Sequence, residues 1–306
     1  MDGKRTLHRD ILTTALILAA LSCTKVPKEE ISVSIGTTVQ TRSEDPDENF
    51  ISDVTLLVYD EHGILEGSYY FPEAGREGEL CRLPLVAGSR YSFYALANLR
   101  YKFERRTEDE LLESVFHLAY PDEYSRGIPM TGSVRRKLVT GGSSVEIKLL
   151  RTMAKISVRM DRTELEDGLN VKVGSITIGA CPSVVGLLRE SAVKNEGEIF
   201  NTGFRKSGMA ADGLNRGSEY GLSREVSLYM LENMQGSRLS ALCSFIEIEA
   251  ECTSGGESRD VTWRFRMGEG PGNYDIRRGC HYHFTVRLPP DGAEGWSTGY
   301  EVEPAR

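Results

Sequence analysis

The chain has 306 residues, 40% of them hydrophobic, with 37 Lys and Arg against 45 Asp and Glu, a formal net charge of -8 and a pI near 5.4. An acidic balance without a basic stripe excludes nucleic acid as a partner, because phosphate recognition needs clustered cations. The length suffices for one large or two ordinary domains with proper hydrophobic cores.

The head carries Lys4, Arg5 and Arg9, then an apolar run from Ile11 to Leu21, then Cys23. Basic head, short apolar segment and cysteine read as a bacterial lipoprotein signal rather than a spanning helix, which needs roughly 20 apolar residues. Residues 1–22 are then the signal peptide and Cys23 is the lipid attachment site, carrying palmitate-class acyl chains at the mature terminus. Ala20-Leu21-Ser22 supplies the small residues that signal peptidase II needs only loosely, and the competing reading is a plain secretory signal, for which no Ala-x-Ala-like site fits as well. Several tens of methylenes at ~0.8 kcal/mol each would make attachment effectively permanent. Later in the chain no apolar stretch reaches spanning length, so the rest is expected to be soluble.

Residues 23–30 read as a polar tether, and its Lys28-Glu29-Glu30 resembles the surface-export signal of Bacteroidetes lipoproteins, with a simple linker as the alternative. Strands follow. Ile31, Val33 and Ile35 alternate with Ser32 and Ser34, and a charged loop from Thr41 to Asn49 holds Arg42 and Pro46. Val54, Leu56 and Val58 predict a second strand whose other face carries Leu57 and Tyr59, hence a central one. Further strands are expected at Leu65–Phe71, Leu80–Val86 and Tyr91–Asn98, with a bend at Gly88. Thr107 and Glu110 form a capping box ahead of Leu111, Leu112, Val115 and Phe116, which predicts one short helix. The inward parity of Val145, Ile147 and Leu149 reverses at Ala154, Ile156, Val158 and Met160, so a domain boundary is expected near Leu150-Arg151. The domains are then 31–150 and 151–306.

In the second half strands are predicted at Val171–Ile178, Val226–Leu231, Leu239–Cys252, Val261–Met267 and His281–Leu288, with a hairpin turn at Ser254-Gly255-Gly256-Glu257. Residues 190–222, rich in Gly, Asn and Ser, read as a long loop or an insertion. Trp296, Thr298, Tyr300 and Val302 share one parity, as on an amphipathic terminal strand. The five cysteines after Cys23 are an odd number at irregular spacing, which is not a disulfide framework. Cys280 reads as an inward small hydrophobe, and Cys243 and Cys252 as opposite faces of one strand.

Catalytic patterns are missing: there is no nucleophile elbow, zincin helix, phosphate loop or paired-cysteine zinc motif, so no enzyme, cofactor or metal is expected. His281 and His283 share a strand face and could offer two metal ligands, but solvent-facing histidines of a sheet are the commoner case.

Six stretches then stand in a telling order: VTLLVYDEHG (54–63), YALANL (94–99), IPMTG (128–132), LRTMAKISV (150–158), LYMLENMQG (228–236) and YDIRRGCHYHFTV (274–286). Their order resembles the fimbrillin superfamily of Bacteroidetes, within it the fimbrillin-associated anchor and minor-subunit branch. The resemblance implies an all-β fold of two tandem transthyretin-like (Greek-key) β-sandwich domains, and a lipoprotein of the outer membrane and fimbrium that joins pilin subunits by strand exchange. Ile31, Val33 and Ile35 of the first strand, and Trp296, Thr298, Tyr300 and Val302 of the last, are then the exchanging residues. Polymerising members of the family are cut after an arginine beyond the first strand, and Arg42 is the matching position; an ordinary loop arginine is the plainer reading. Two alternatives stand beside the anchor: a polymerising or tip adhesin cleaved after Arg42, and a surface glycan-binding lipoprotein using Trp263, Trp296 or tyrosines.

Overall fold

A computed structural model describes residues 28–37, 48–74, 78–217 and 221–305. In chain order the elements are β1 (Lys28–Thr37), β2 (Val54–Tyr59), β3 (Leu65–Phe71), β4 (Gly78–Val86), β5 (Arg90–Ala97), α1 (Glu108–Leu112), β6 (Val115–His117), β7 (Met130–Leu138) and β8 (Ser144–Arg151). The second half adds β9 (Met153–Asp161), β10 (Asn170–Gly179), β11 (Val184–Gly186), β12 (Arg205–Ser207), β13 (Val226–Leu231), β14 (Phe245–Ser254), β15 (Glu257–Arg266), β16 (His281–Arg287), β17 (Gly295–Ser297) and β18 (Tyr300–Ala305).

Period-two alternation drives these strands, because successive side chains leave opposite faces of an extended backbone. In the first half the hydrogen-bonded order is β3-β2-β5-β7-β8-β1-β4. β7 meets β8 only at Met130–Arg151 and Thr131–Leu150, so the ribbon turns a corner there and closes on itself as a sandwich. One layer is β3-β2-β5-β7, the other β8-β1-β4. Between them lie Ile31, Val33, Leu56, Leu85, Phe93 and Ile147.

The second half packs a four-stranded sheet, β13-β9-β16-β18, on a five-stranded one, β12-β10-β14-β15-β17. Its core holds Ile156, Ile176, Ile248, Trp263, Phe265 and Phe284. The halves share one plan. Substituting β9, β10, β12, β13, β14, β15 and β16 for β1, β2, β3, β4, β5, β7 and β8 reproduces five pairings, each in the same sense, including a parallel pair between first and last strand.

Each half interrupts that plan at a different loop, and the interruptions meet. Residues 98–129 carry α1 and β6, residues 180–204 carry β11, and β6 pairs antiparallel with β11 through Phe116 and Val185. The amide of Leu118 donates to the carbonyl of Ser183 at 2.9 Å and that of Leu187 to Ser114 at 3.0 Å. Under this stitch, Leu57, Tyr59, Tyr94 and Leu96 on the outer face of the first sandwich join Leu111, Phe116 and Tyr124 in the same buried cluster as the second core. That explains why β2 is buried along its whole length, as its two apolar faces predict.

Several expectations change in the structure. The first strand reaches back to Lys28, so Lys28, Glu29 and Glu30 pair with β4 instead of belonging to the tether. Thr107 caps α1 by accepting from the Glu110 amide at 3.2 Å, but the Glu110 carboxylate accepts from Arg106, one residue before the cap. The helix ends at Leu112; Val115 is 48% exposed and pairs in β6, because cross-chain pairing with β11 overrides the helical periodicity. β14 starts only at Phe245, which leaves Cys243 in the preceding turn and off the strand that holds Cys252. Within 190–222, β12 pairs with β10 and Leu214 is buried, so this segment is more than a loop. The terminal strand is two strands. β17 lies on β15, β18 lies on β16, and the chain passes between the sheets at Thr298-Gly299. At the expected boundary, β8 ends at Arg151 and β9 begins at Met153 in the other sandwich, which is what the parity reversal requires.

Candidate functional site

β1 lies between two strands. Ile31 faces Leu83 across the antiparallel pair with β4, while Val33 and Ile35 stand beside Val145 and Ile147 in the parallel pair with β8. All three apolar side chains are buried. β1 is therefore the centre of its layer, and the edge is β4. Taking β1 away would uncover an apolar slot lined by Leu83, Leu85, Val145 and Ile147, with two rows of backbone groups left unpaired. Cys23 and Arg42 lie outside the described residues.

The terminal residues are placed in the other half and do not approach β1. Trp296 on β17 is 53% exposed and packs against Phe245 at 5.0 Å between ring centroids, with the Arg266 guanidinium 3.8 Å over its ring. Tyr300 and Val302 sit on the sheet edge in β18, Tyr300 against Phe284 at 5.9 Å, and Thr298 lies in the crossing. Trp263 is closed to any ligand: it is fully buried and its indole N–H donates to the Ala293 carbonyl at 2.8 Å.

The rings of His281 and His283 on β16 lie 3.9 Å apart between centroids, tilted by 37°. His281 Nε2 lies 2.8 Å from Ser157 Oγ and His283 Nδ1 lies 3.1 Å from Glu225 Oε1. Burial, with the charges of His283 and Lys155 added, pushes the His281 pKa down to about 4. Among the described residues no group of three metal-ligating side chains forms, here or elsewhere. The cysteines from Cys81 on are all free thiols, Cys280 buried in the core as expected.

Sequence reasoning missed the buried ion pairs. Glu48, within the charged stretch 41–49, is 2% exposed and accepts from Arg151 at 2.5 Å, Lys155 Nζ at 2.9 Å and the Tyr229 hydroxyl at 2.8 Å. Burial alone would raise its pKa, but the hydrogen bonds from Lys155 and Tyr229 and the charges of Arg151 and Lys155 outweigh it and hold the carboxyl at about 2. This one carboxylate ties the segment after β1 to the crossing between halves. Glu232 does likewise for Arg278, accepting its guanidinium at 2.7 Å while Arg278 also donates to the carbonyls of Gly186, Leu187 and Arg189. The one hint in the sequence is two cations inside the apolar run 150–158; nothing there marks Glu48 among its acidic neighbours. A cleft of about 660 Å³ opens between the halves, with Gly132, Lys148, Leu150, Glu232 and Arg278 on its walls.

A family model described as "Major fimbrial subunit protein (FimA)" matches residues 30–164, from β1 to just beyond β9. No curated protein matches the chain in sequence. Among solved structures, a candidate cell adhesion protein of Bacteroides eggerthii is similar with a TM-score of 0.64 at 16% identity, over 91% of this chain and 95% of that one. The fimbrilin (fimA) of Porphyromonas gingivalis is similar with a TM-score of 0.57 at 14% identity, over 90% and 96%. The tip fimbrial protein Mfa3 of the same organism, with C-terminal truncation, is similar with a TM-score of 0.56 at 15% identity, over 91% and 99%. At such identities the likeness is one of fold. Together with the family match over the first sandwich, it bears out the resemblance to the fimbrillin superfamily read from the ordered motifs.

Proposed function

We propose that this chain is a fimbrial subunit of the anchor or minor class, held at the outer membrane by lipid on Cys23 and joined to a pilin by β-strand complementation. The observation that carries the reading is β1 itself: an amphipathic strand seated in the middle of a layer between β4 and β8. Such a strand, when lost, leaves a slot that only another extended segment with the same alternation can fill. The family match beginning at residue 30 and the fimbrillin-like fold support a fimbrial role. In an anchor β1 stays in place, so lipid on Cys23 is transmitted directly to the sandwich through a buried strand.

Replacing Cys23 by Ala tests the anchor. The expected result is release of the protein, or of fimbriae carrying it, into the medium; unchanged membrane retention ends the reading. Mass measurement of the mature terminus separates the alternative: an acylated Cys23 supports the anchor, and a free Ser43 supports a polymerising or tip subunit cut after Arg42.

A further inference from the structure

Alternation turns one side of the sheet β12-β10-β14-β15-β17 outward, because Ile176, Ile248, Trp263 and Phe265 take the core side. That outer side carries Arg205, Arg264 and Arg266. Two of these guanidinium groups are neutralised, Arg205 by Glu249 at 2.6 Å and Arg264 by Glu247 at 2.7 Å. Among the described residues no carboxylate meets Arg266, which donates to the Cys243 carbonyl at 2.9 Å. Aromatic rings hold it instead. Its guanidinium lies 3.8 Å over Trp296 and 5.5 Å over Phe245, and those two rings meet edge to face at 5.0 Å. Phe245 in turn lies across Gly179, where an added Cβ would come within 2.0 Å of its ring. Beside Phe245 a cavity of about 430 Å³ opens, walled by Phe200, Asn201, Thr202 and Glu247.

We propose that this surface binds a sugar bearing a carboxylate, of the sialic or uronic acid class. The groups on the wall select that ligand. A guanidinium without a counter-charge, held in place by two rings, can meet one carboxylate with two parallel N–H donors. Trp296 stays 53% exposed, and the indole surface that Arg266 does not cover is what the apolar face of a sugar ring stacks on. Asn201 and Thr202 are exposed on the cavity wall and supply donors and acceptors for hydroxyls. A polyanion fits worse than a single carboxylate, because Glu196 and Glu247 share the rim. An acidic peptide offers the carboxylate but no ring for the indole. The site lies on the second half, away from β1, and gives the subunit a ligand of its own that does not depend on how it is anchored.

The chain has two tryptophans, and Trp263 is fully buried, so a bound sugar is read as a change in Trp296 emission over a constant background. The test titrates the full mature chain with sialyllactose, with a glucuronic acid disaccharide and with uncharged lactose. A saturable change with an acidic sugar and none with lactose is expected. Arg266→Gln should bind about tenfold more weakly, and Trp296→Ala should lose both the optical change and the heat of binding. Thermal unfolding checks that each variant is folded; Arg266→Lys, which keeps the charge but not the paired donors, gives a second reading with a smaller loss. No response to either acidic sugar at about 10 mM, an equal response to lactose, equal binding by Arg266→Gln, or equal binding of a hexaglutamate peptide overturns the proposal. Failure here leaves the lipid anchor untouched, because that is read from membrane retention of Cys23→Ala.

Discussion

The first strands of the two halves occupy the same place and are held differently. β9 is central between β13 and β16 and follows β8 across Thr152 alone; β1 is central between β4 and β8, and Glu48 fixes the segment after it to that crossing. Ile31 in β1 and Ile156 in β9 are both fully buried, so side-chain burial does not distinguish the two strands. The comparison also shows that burial by itself says little about whether a strand can be exchanged.

The strongest way to break this comparison is at Glu48, which fixes the stretch after β1 to the crossing between halves. Glu48→Ala removes the buried carboxylate that Arg151 and Lys155 share, and removing one partner of such a pair costs about 3–5 kcal/mol. Chemical denaturation should show that loss. Acid should reproduce most of it: the folded pKa lies at about 2 against an ordinary 4.5, so the contribution is complete above pH 4.5 and lost as pH falls toward 2. The difference corresponds to about 3 kcal/mol by linkage. A variant with wild-type acid and denaturant midpoints would show that the crossing does not depend on this carboxylate.

Next in size are matched truncations in the two first strands. Ile31→Ala and Ile156→Ala each remove a fully buried side chain, and each should cost about 2–5 kcal/mol through lost burial and the cavity left behind. Near-equal losses in thermal unfolding are expected while the chain is intact. A much smaller loss at Ile31 would mean that β1 is loosely seated even before any cut.

How much of this was legible follows from which forces are local. Alternation in 31–35, 145–149 and 154–160 is imposed by a buried face at every second residue, and the two apolar faces of 54–58 by burial on both sides, so these strands could be read directly. β6, β11 and β12 could not: each is a three-residue strand that exists because a distant segment pairs with it. β7 was missed because its exposed end, Arg135-Arg136-Lys137, looks like loop, although it pairs with β5 along nearly its whole length. The uniform parity from Trp296 to Val302 concealed a change of sheet at Thr298-Gly299, since parity records side-chain direction and not the neighbouring strand. Glu48 and Glu232 were invisible for a similar reason; their partners are far away in sequence.

A smaller effect separates the halves by pH. His281 belongs to the second half, and its folded pKa of about 4 lies below the ordinary 6.5. Above pH 6.5 the group is neutral in both states and contributes nothing; between 6.5 and 4 the unfolded chain takes up the proton first, so stability falls with pH through that window. His281→Gln should flatten this part of the pH-stability curve and leave the Glu48 loss below pH 4.5 in place. An unchanged slope would assign the acid sensitivity to some other group.

The smallest expected effect probes the stitch that makes two similar sandwiches one body. Thr107→Ala deletes the side-chain cap of α1, worth about 1 kcal/mol, in the insertion that covers Leu57, Tyr59, Tyr94 and Leu96. α1 has five residues and too little length to persist alone, so its order comes from Leu111 in the core and from Glu108, which accepts from the Tyr94 hydroxyl at 2.6 Å and from Arg135 at 3.1 Å. Those contacts survive the substitution. Hydrogen exchange should therefore speed up at the Glu110 amide while β6, held by β11, keeps its protection. If β6 loses protection together with α1, the insertion unfolds as one unit and the tie between the halves depends on a single helix cap.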